Sequence, residues 1–373
     1  MVRILVVTQE RPTGLNYHRQ LIPHAHLERN YVDDFAIDIS FDINTVSHEK
    51  LQSYQIVTFL RLVSESFDSE KIIQRCKDAG CITIIDIDDY WELHKLHELN
   101  EAYKEYKIGE QTVAGLINVD YITTTTEMFA DKIKEFNKNV IVIPNSIDPF
   151  EKQFERIDYV SERMRFGWIG GIFHTPDIRL MYEGFKEVFK TDNSKFQLCL
   201  GGFGDNEQYK FIEKIYTNNY KNIKDKNYLT YLKQYRKEYN EQAESQPYKR
   251  LWGTDVFNYA KLYNEIDISL VPLVSNNFNK YKSQIKIIEA GYFKKSVIVS
   301  NVAPYTIDCN KLNSILISPS KNNEGWGTAM KSLILNPNKA DDLKENLHEL
   351  VKSKYMMDTV NVTRSQLYKR ITE

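Results

Sequence analysis

The 373-residue chain has no run of about 18 apolar residues, the length a helix needs to cross a bilayer, so nothing in it reads as a membrane span. It has four cysteines, Cys76, Cys81, Cys199 and Cys309, scattered and without a CxxC pair. That spacing excludes a disulfide scaffold and a thiolate metal site, and it suits a reducing cytoplasm. A basic surplus is missing too: 49 Lys and Arg face 51 Asp and Glu, for a formal net charge of −2. A dedicated nucleic-acid binder would carry the opposite balance. The first apolar run, residues 1–8, is too short for a signal peptide and reads as a first buried strand.

What the chain does have is alternation. Short β-branched runs at 3–8, 36–40, 56–60, 81–86 and 121–125 are separated by helix-length polar segments such as 69–79. The pattern restarts after Pro144, with runs at 165–169, 196–200, near Leu251, at 266–273, 296–300 and 313–317. Such alternation implies parallel strands with crossover helices. The expected fold is α/β, two doubly wound sheets in tandem joined near 148–162, with a ligand between them at the carboxyl ends of the strands. Residues 205–250 read as an insertion without an obvious strand, and 228–244 as a helix polar nearly all round. Lys and Arg outnumber acids there, which suits either a solvated helix or steering toward anionic lipid headgroups. A last helix is expected over 356–371.

Four stretches carry candidate chemistry. In 278–291, read as one helix at about 100° per residue, Lys282, Lys286 and Glu289 share a narrow face while Ile285 and Ile288 point elsewhere. Lysine sits poorly in a first helical turn unless an anion completes the site. Two lysines there suit a diphosphate, and the carboxylate beyond them suits sugar hydroxyls. The plain alternative is a solvated face. The loop from Thr8 to Arg19 follows the first strand, and its Gly14 allows a ligand close approach, but it is not GxGxxG, which removes the dinucleotide fingerprint. Asp86, Asp88 and Asp89 end the fourth strand. They read as cleft-lining hydrogen-bonding groups, as a helix N-cap, or as ligands of a divalent metal. His94 and His97, on the next helix, read as packing or surface residues. Gly170-Gly171 follows a strand and lets backbone N–H groups approach phosphate.

The 278–291 run resembles the donor-site helix of the group 1 glycosyltransferases (family 4), in a bacterial branch reading FNxxKSxxKxxE. Val299-Ser300 and Pro304-Tyr305 continue the match. Residues 166–171 with His174 and Asp177 resemble the branch's entry to its second domain, and residues 142–148 its interdomain hinge. The resemblance spans roughly residues 1–320.

It implies a GT-B fold: an acceptor-side domain over 1–150, onto which a C-terminal helix in 355–373 crosses back, and a nucleotide-sugar donor domain over 160–352 with the 205–250 insertion. It implies a cytoplasmic, metal-independent, retaining glycosyltransferase of the hexosyltransferase type. Such an enzyme moves a UDP- or GDP-linked sugar to a glycan or lipid-linked acceptor in bacterial surface polysaccharide synthesis, with no cofactor beyond the nucleotide-sugar. Peripheral contact with the inner membrane face would follow from the basic 205–250 segment.

In this reading Lys282 and Lys286 carry the diphosphate with the Gly170-Gly171 amides, and Glu289 holds the ribose. Gly14, Tyr17, Arg19, Asp88, Asp89, His174, Asn279 and Ser283 complete the substrate contacts. The chain departs from the commoner pattern twice. Gly171 and Asp177 stand about where many relatives place Arg and Lys, and Tyr281 stands where the first of two glutamates eight residues apart belongs. Two other classes remain open: a GT-B nucleotide-sugar epimerase, and a nucleotide-sugar-binding protein without turnover. Donor sugar, base, acceptor and oligomeric state are not legible in the sequence.

Overall fold

The structure is a computed structural model, described here for all residues except 64–67, 96, 219–245 and 321–322. It forms two compact units: unit one holds residues 1–149, 276–285 and 353–373, and unit two holds 150–275 and 286–352.

Unit one contains a parallel sheet of β1 (Val2–Val7), β2 (Phe35–Ser40), β3 (Ile56–Leu60), β4 (Ile82–Ile87), β5 (Tyr121–Thr124) and β6 (Val140–Val142), in the order β2-β1-β3-β4-β5-β6. Successive side chains alternate between two buried faces. Leu5, Val7, Val57, Phe59, Ile85 and Ile87 enter one core, while Ile4, Val6, Ile56 and Ile84 enter the other with Leu27, Val360 and Tyr368. The three-residue β6, just ahead of Pro144, was not anticipated. The helix Met357–Thr372 packs in this unit, where His24 shares a hydrogen bond of 3.0 Å with Tyr368 Oη.

Unit two repeats the plan with β7 (Met164–Ile169), β8 (Phe196–Phe203), β9 (Tyr248–Trp252), β10 (Ile268–Val271), β11 (Ser296–Ser300) and β12 (Ile315–Ile317), in the order β12-β11-β10-β7-β8-β9, all parallel. Phe166, Trp168, Leu198, Leu200 and Leu270 centre its core.

Four expectations need correction. Residues 276–285, placed with the donor domain, belong to unit one: Phe278 joins its core, and the Tyr281 ring lies 5.0 Å from Tyr90 and 5.6 Å from Phe129. The 278–291 run is two helices, Asn277–Lys280 and Ile285–Tyr292. Between them Ser283 Oγ accepts from Asn145 Nδ2 at 2.9 Å, and the buried Gln284 donates to Tyr355 Oη. Polar anchors within unit one thus compete with helical continuation. Both ends of 205–250 are integral to unit two, since the helix Glu207–Thr217 buries Ile212 and Tyr216 and β9 closes the sheet; the helix expected over 228–244 lies outside the described residues. His94 and His97 precede the helix that starts at Asn100. Among the described residues no helix is long and apolar enough to cross a membrane.

One buried ion pair ties unit one together. Arg19, 1% exposed, donates from Nε and Nη2 to the two oxygens of Asp86, at 2.8 Å each. Its Nη1 reaches the Ile143 carbonyl at 2.9 Å and Asn145 Oδ1 at 3.0 Å, and Thr123 Oγ1 donates to Asp86 at 2.6 Å. Removing one charge from such a pair strands the other in low dielectric. Asp86→Asn is therefore expected to cost about 3–5 kcal/mol of stability in a urea titration. A midpoint equal to wild type would mean the pair does not support the unit.

Candidate functional site

In a doubly wound sheet, the crevice outside the carboxyl ends opens where strand order reverses. In unit two that point lies between β7 and β10. Gly170 and Gly171 follow β7 there. The glycines matter differently. A Cβ on Gly170 would lie 2.6 Å from the Trp168 ring and 2.7 Å from Lys286 Nζ, so only glycine fits. A Cβ on Gly171 would meet nothing. Next along, Gly202, the next-to-last residue of β8, has φ +82°, and a Cβ there would sit 2.6 Å from the Gly170 carbonyl oxygen; Tyr209 Oη donates to that same oxygen at 2.9 Å. The Gly201-Gly202 close approach was missed in the sequence, although the Gly-Gly-Phe-Gly run ending a strand could have signalled it.

Lys286 lies in the first turn of the helix Ile285–Tyr292. Its ammonium donates to the Ile169 carbonyl at the end of β7 and stands 5.0 Å from the Trp168 ring centroid. Glu289, one turn on, is 3% exposed and accepts hydrogen bonds from Tyr259 and, at 3.0 Å, from Tyr263. Burial pushes its carboxyl up to about 7, against the tyrosine hydroxyls and Lys286, which pull it down. The two tyrosines come from the short helix Tyr259–Glu265 and were not anticipated. His174 Nδ1 lies 2.8 Å from Asp177 Oδ2, and its ring stands edge-on to Trp168 at 6.0 Å. Gly170, Lys286, Glu289 and His174 therefore gather in unit two around Trp168 and the end of β7.

The rest of the expected set lies in unit one. Lys282 is in unit one and outside both helices, its Nζ 4.8 Å from the Phe278 ring. Asn279 is buried in the helix Asn277–Lys280, and Ser283 is bound by Asn145. Tyr17 is 1% exposed and Arg19 is the buried partner of Asp86, so both sit in the interior rather than at a ligand surface. Gly14 opens a short helix, and a Cβ there would meet nothing.

Asp88 and Asp89 accept from Arg61 Nη2 at 3.3 and 2.8 Å, while Arg61 Nη1 reaches Tyr103 Oη at 3.1 Å. Burial, then the neighbouring Asp89, pushes the Asp88 carboxyl up to about 7. Arg61 itself was missed. It holds a left-handed φ of 42°, a strain that clusters at functional positions. It lines a cavity of about 740 Å³ with Thr8, Gln9, Asp42, Asn44 and Tyr103, at the carboxyl ends of β1 to β3. That is where unit one's strand order reverses. Among the described residues no three His, Cys, Asp or Glu side chains are grouped to share a metal.

No family profile matches the chain, and no curated protein sequence does. Solved structures do match in shape. Sucrose-phosphate synthase from Thermosynechococcus elongatus superposes with a TM-score of 0.66 at 12% identity, covering 100% of this chain and 99% of its own. HepE of Anabaena, solved with UDP and glucose, gives 0.63 at 10% identity, covering 99% and 100%. A glycosyltransferase from Rickettsia africae gives 0.62 at 12%, covering 100% and 99%. At these identities the likeness establishes the fold: the chain has the GT-B fold, with two Rossmann-like doubly wound units.

The Glu289 carboxyl supplies a stability test. Its folded pKa lies above the unfolded value near 4.5, so the folded state holds the extra proton between about 4.5 and about 7. Stability from this group therefore falls as pH rises through that window, by up to about 3 kcal/mol. Glu289→Gln removes the slope while keeping an acceptor for the tyrosines. Urea titrations at pH about 5 and about 8 are expected to show the variant gaining on wild type as pH rises. Parallel behaviour would mean that Glu289 is not held in a low-dielectric site.

Proposed function

We propose that this protein is a glycosyltransferase that binds the diphosphate and ribose of a nucleotide-sugar at the β7–β10 reversal of unit two. The observation that carries the reading is Lys286: its ammonium is fixed at the carboxyl end of β7, beside an obligatory Gly170, with Glu289 one turn further along. A cation and close-approaching backbone suit a diphosphate, and a carboxylate beyond them suits ribose hydroxyls. The fold shared with HepE, whose structure holds UDP and glucose, supports a nucleotide-sugar as donor. The resemblance of the 278–291 run to the group 1 branch points the same way.

The donor is of UDP or GDP type, the acceptor a glycan or lipid-linked saccharide, and the reaction retaining, of the hexosyl type and metal-independent. Cytoplasmic synthesis of bacterial surface polysaccharide is the setting that fits. Unit one's cavity at its own strand reversal, lined by Arg61, Thr8, Gln9, Asp42 and Asn44, suits acceptor hydroxyls. Catalysis consists of stabilising the departing diphosphate and orienting the acceptor, with binding energy realised as leaving-group charge grows. Peripheral membrane contact remains part of the proposal only through the basic composition of 205–250.

Calorimetry with UDP, GDP and their nucleosides tests the site. Lys286→Ala is expected to weaken nucleoside diphosphate binding by about 1.5–3 kcal/mol and to leave the bare nucleoside nearly unchanged. Equal losses for both ligands would remove Lys286 from the phosphate site.

Product analysis tests the reaction class. Incubation with nucleotide-sugar alone is expected to yield at most slow hydrolysis, whereas a new nucleotide-sugar would identify an epimerase. Transfer is expected to survive EDTA. Its loss on chelation, with recovery on adding Mn²⁺, would establish metal chemistry instead.

A further inference from the structure

Unit one holds a second cavity next to the polar one, of about 770 Å³. Its wall is largely apolar. Trp91, Leu93, Val113, Ile117 and Phe136 line it, and the Trp91 and Phe136 rings meet edge to face at 5.3 Å. Much of the wall is the helix Ile108–Asn118. Thr112, Gly115 and Leu116 bury one side of that helix in the unit. Val113 and Ile117, four residues apart and so on one face, turn to the cavity, and Ile117 is 55% exposed. A helix with apolar side chains on two sides is ordinarily covered on both.

The two cavities meet at Tyr103, which lines both. Its hydroxyl accepts from Arg61 Nη1 at 3.1 Å. Chain neighbours divide the same way: Ile108 lines the polar cavity, and Lys107 and Gly109 line the apolar one. Lys107 precedes the helix with a left-handed φ of 48° and makes no capping hydrogen bond. Arg61, beside Tyr103, has a φ of 42°. Backbone strain of this kind clusters where ligands bind. Among the described residues no carboxylate pairs with the Lys107 ammonium. Lys104 lines the same cavity and pairs at the surface with Glu101 at 3.1 Å. Two acids line it as well. Glu92 accepts from the Tyr90 hydroxyl, and Glu110 opposes an anion.

We propose that the apolar cavity holds the hydrocarbon chain of a lipid-linked acceptor, whose saccharide occupies the polar cavity and whose phosphate meets Lys107 and Lys104 between them. The inference rests on the acceptor reading of the polar cavity given above and narrows it from a glycan to a saccharide carried on a lipid phosphate. The order of the surfaces is the order of groups in such a molecule. Thr8, Gln9 and Asn44 offer hydrogen bonds to a sugar, the lysines offer charge to a phosphate, and Trp91, Val113 and Ile117 offer an apolar wall to a chain. Burying the chain removes apolar surface from water on both partners. The phosphate oxygens gain charge-assisted contacts. Held by its anchor, the saccharide loses the freedom that an untethered acceptor keeps, which favours a reactive orientation.

The test is calorimetry of the full-length chain with farnesyl phosphate, below its micelle-forming concentration. Farnesol and inorganic phosphate are titrated separately as the two halves of the probe. Wild type is expected to bind farnesyl phosphate, to bind farnesol more weakly, and to bind inorganic phosphate negligibly. Ile117→Glu places a charge on the exposed wall and is expected to weaken both farnesyl ligands by about tenfold or more. Lys107→Asn removes the cation while keeping a residue that tolerates the left-handed backbone. It is expected to weaken farnesyl phosphate by about fivefold and to leave farnesol unchanged. Glu110→Gln is expected to tighten farnesyl phosphate alone. Thermal melts check that each variant is folded, and UDP and GDP are titrated into wild type alongside.

If wild type binds UDP or GDP but not farnesyl phosphate, or if Ile117→Glu binds it as wild type does, the lipid site is overturned and the glycosyltransferase reading stands. Equal losses of farnesol and farnesyl phosphate in Lys107→Asn would overturn the phosphate contact. A wild-type dimer that Ile117→Glu converts to monomer in sedimentation, with farnesyl phosphate binding unchanged, would assign the apolar face to a second copy of the chain instead. Binding of farnesyl phosphate without binding of either nucleoside diphosphate would overturn the acceptor assignment, because donor and acceptor belong to one reaction.

Discussion

The contact between the Lys286 ammonium and the Ile169 carbonyl ties the helix Ile285–Tyr292 to the carboxyl end of β7. The flank of the ammonium is the Trp168 ring, its centroid 5.0 Å away. The buried Trp168 ring, 2.6 Å from where a Cβ would stand, excludes a side chain at Gly170. Gly170 in turn brings its carbonyl so near β8 that Gly202 must be glycine and Tyr209 must supply a donor. The helix that carries Lys286 also sets Glu289 one turn away, where the tyrosine pair satisfies a carboxylate that burial alone would leave costly.

Much of the fold was legible because parallel strands covered on both faces are written as short, nearly continuous apolar runs. The runs at 56–60 and 296–300 match β3 and β11 residue for residue. What escaped was set by contacts remote in sequence. Reading 278–291 as one helix was sound on periodicity. Asn145, 138 residues from Ser283, and Tyr355, 71 residues from Gln284, reorganised its middle. Tyr281, which looked like a missing glutamate, is an aromatic packing position against Tyr90 and Phe129. At the site itself, the pairing of Gly170 with Lys286 followed from strand-end and helix-start chemistry. The tyrosines on Glu289 carried no motif, since Tyr259 and Tyr263 come from a short helix 30 and 26 residues away.

Unit one shows why an arginine or aspartate after a strand is ambiguous in sequence. Arg19 and Arg61 both pair with acids at the end of β4, and Asp86, Asp88 and Asp89 lie within four positions of one another. Burial separates their roles. Arg19 makes four hydrogen bonds to three residues and is 1% exposed, so its charge is committed to the fold. Arg61 is 17% exposed, lies on a cavity wall, and holds a backbone conformation that costs free energy unless the surroundings enforce it. The spacing of the acids also suggested a metal site. Their arginine partners give a different account of why three carboxylates gather there: Arg19 pairs with Asp86, and Arg61 is shared by Asp88 and Asp89.

The 278–291 run thus serves two units. Its first part, through Ile285, supplies Phe278 and Tyr281 to the core of unit one, and its second part supplies Lys286 and Glu289 to the site in unit two. A motif read as one functional surface is therefore two kinds of constraint written consecutively. Substitutions before Ile285 act on the packing and polar anchoring of unit one. Those at Lys286 and Glu289 act on charge and proton affinity in unit two. The distinction changes how a loss of activity at any of these positions should be interpreted. A variant at Tyr281 that also lowers stability reports on aromatic packing. A variant at Lys286 that spares stability and nucleoside affinity but weakens nucleoside diphosphate binding would support the proposed phosphate role, because the residue's charge contacts the end of β7.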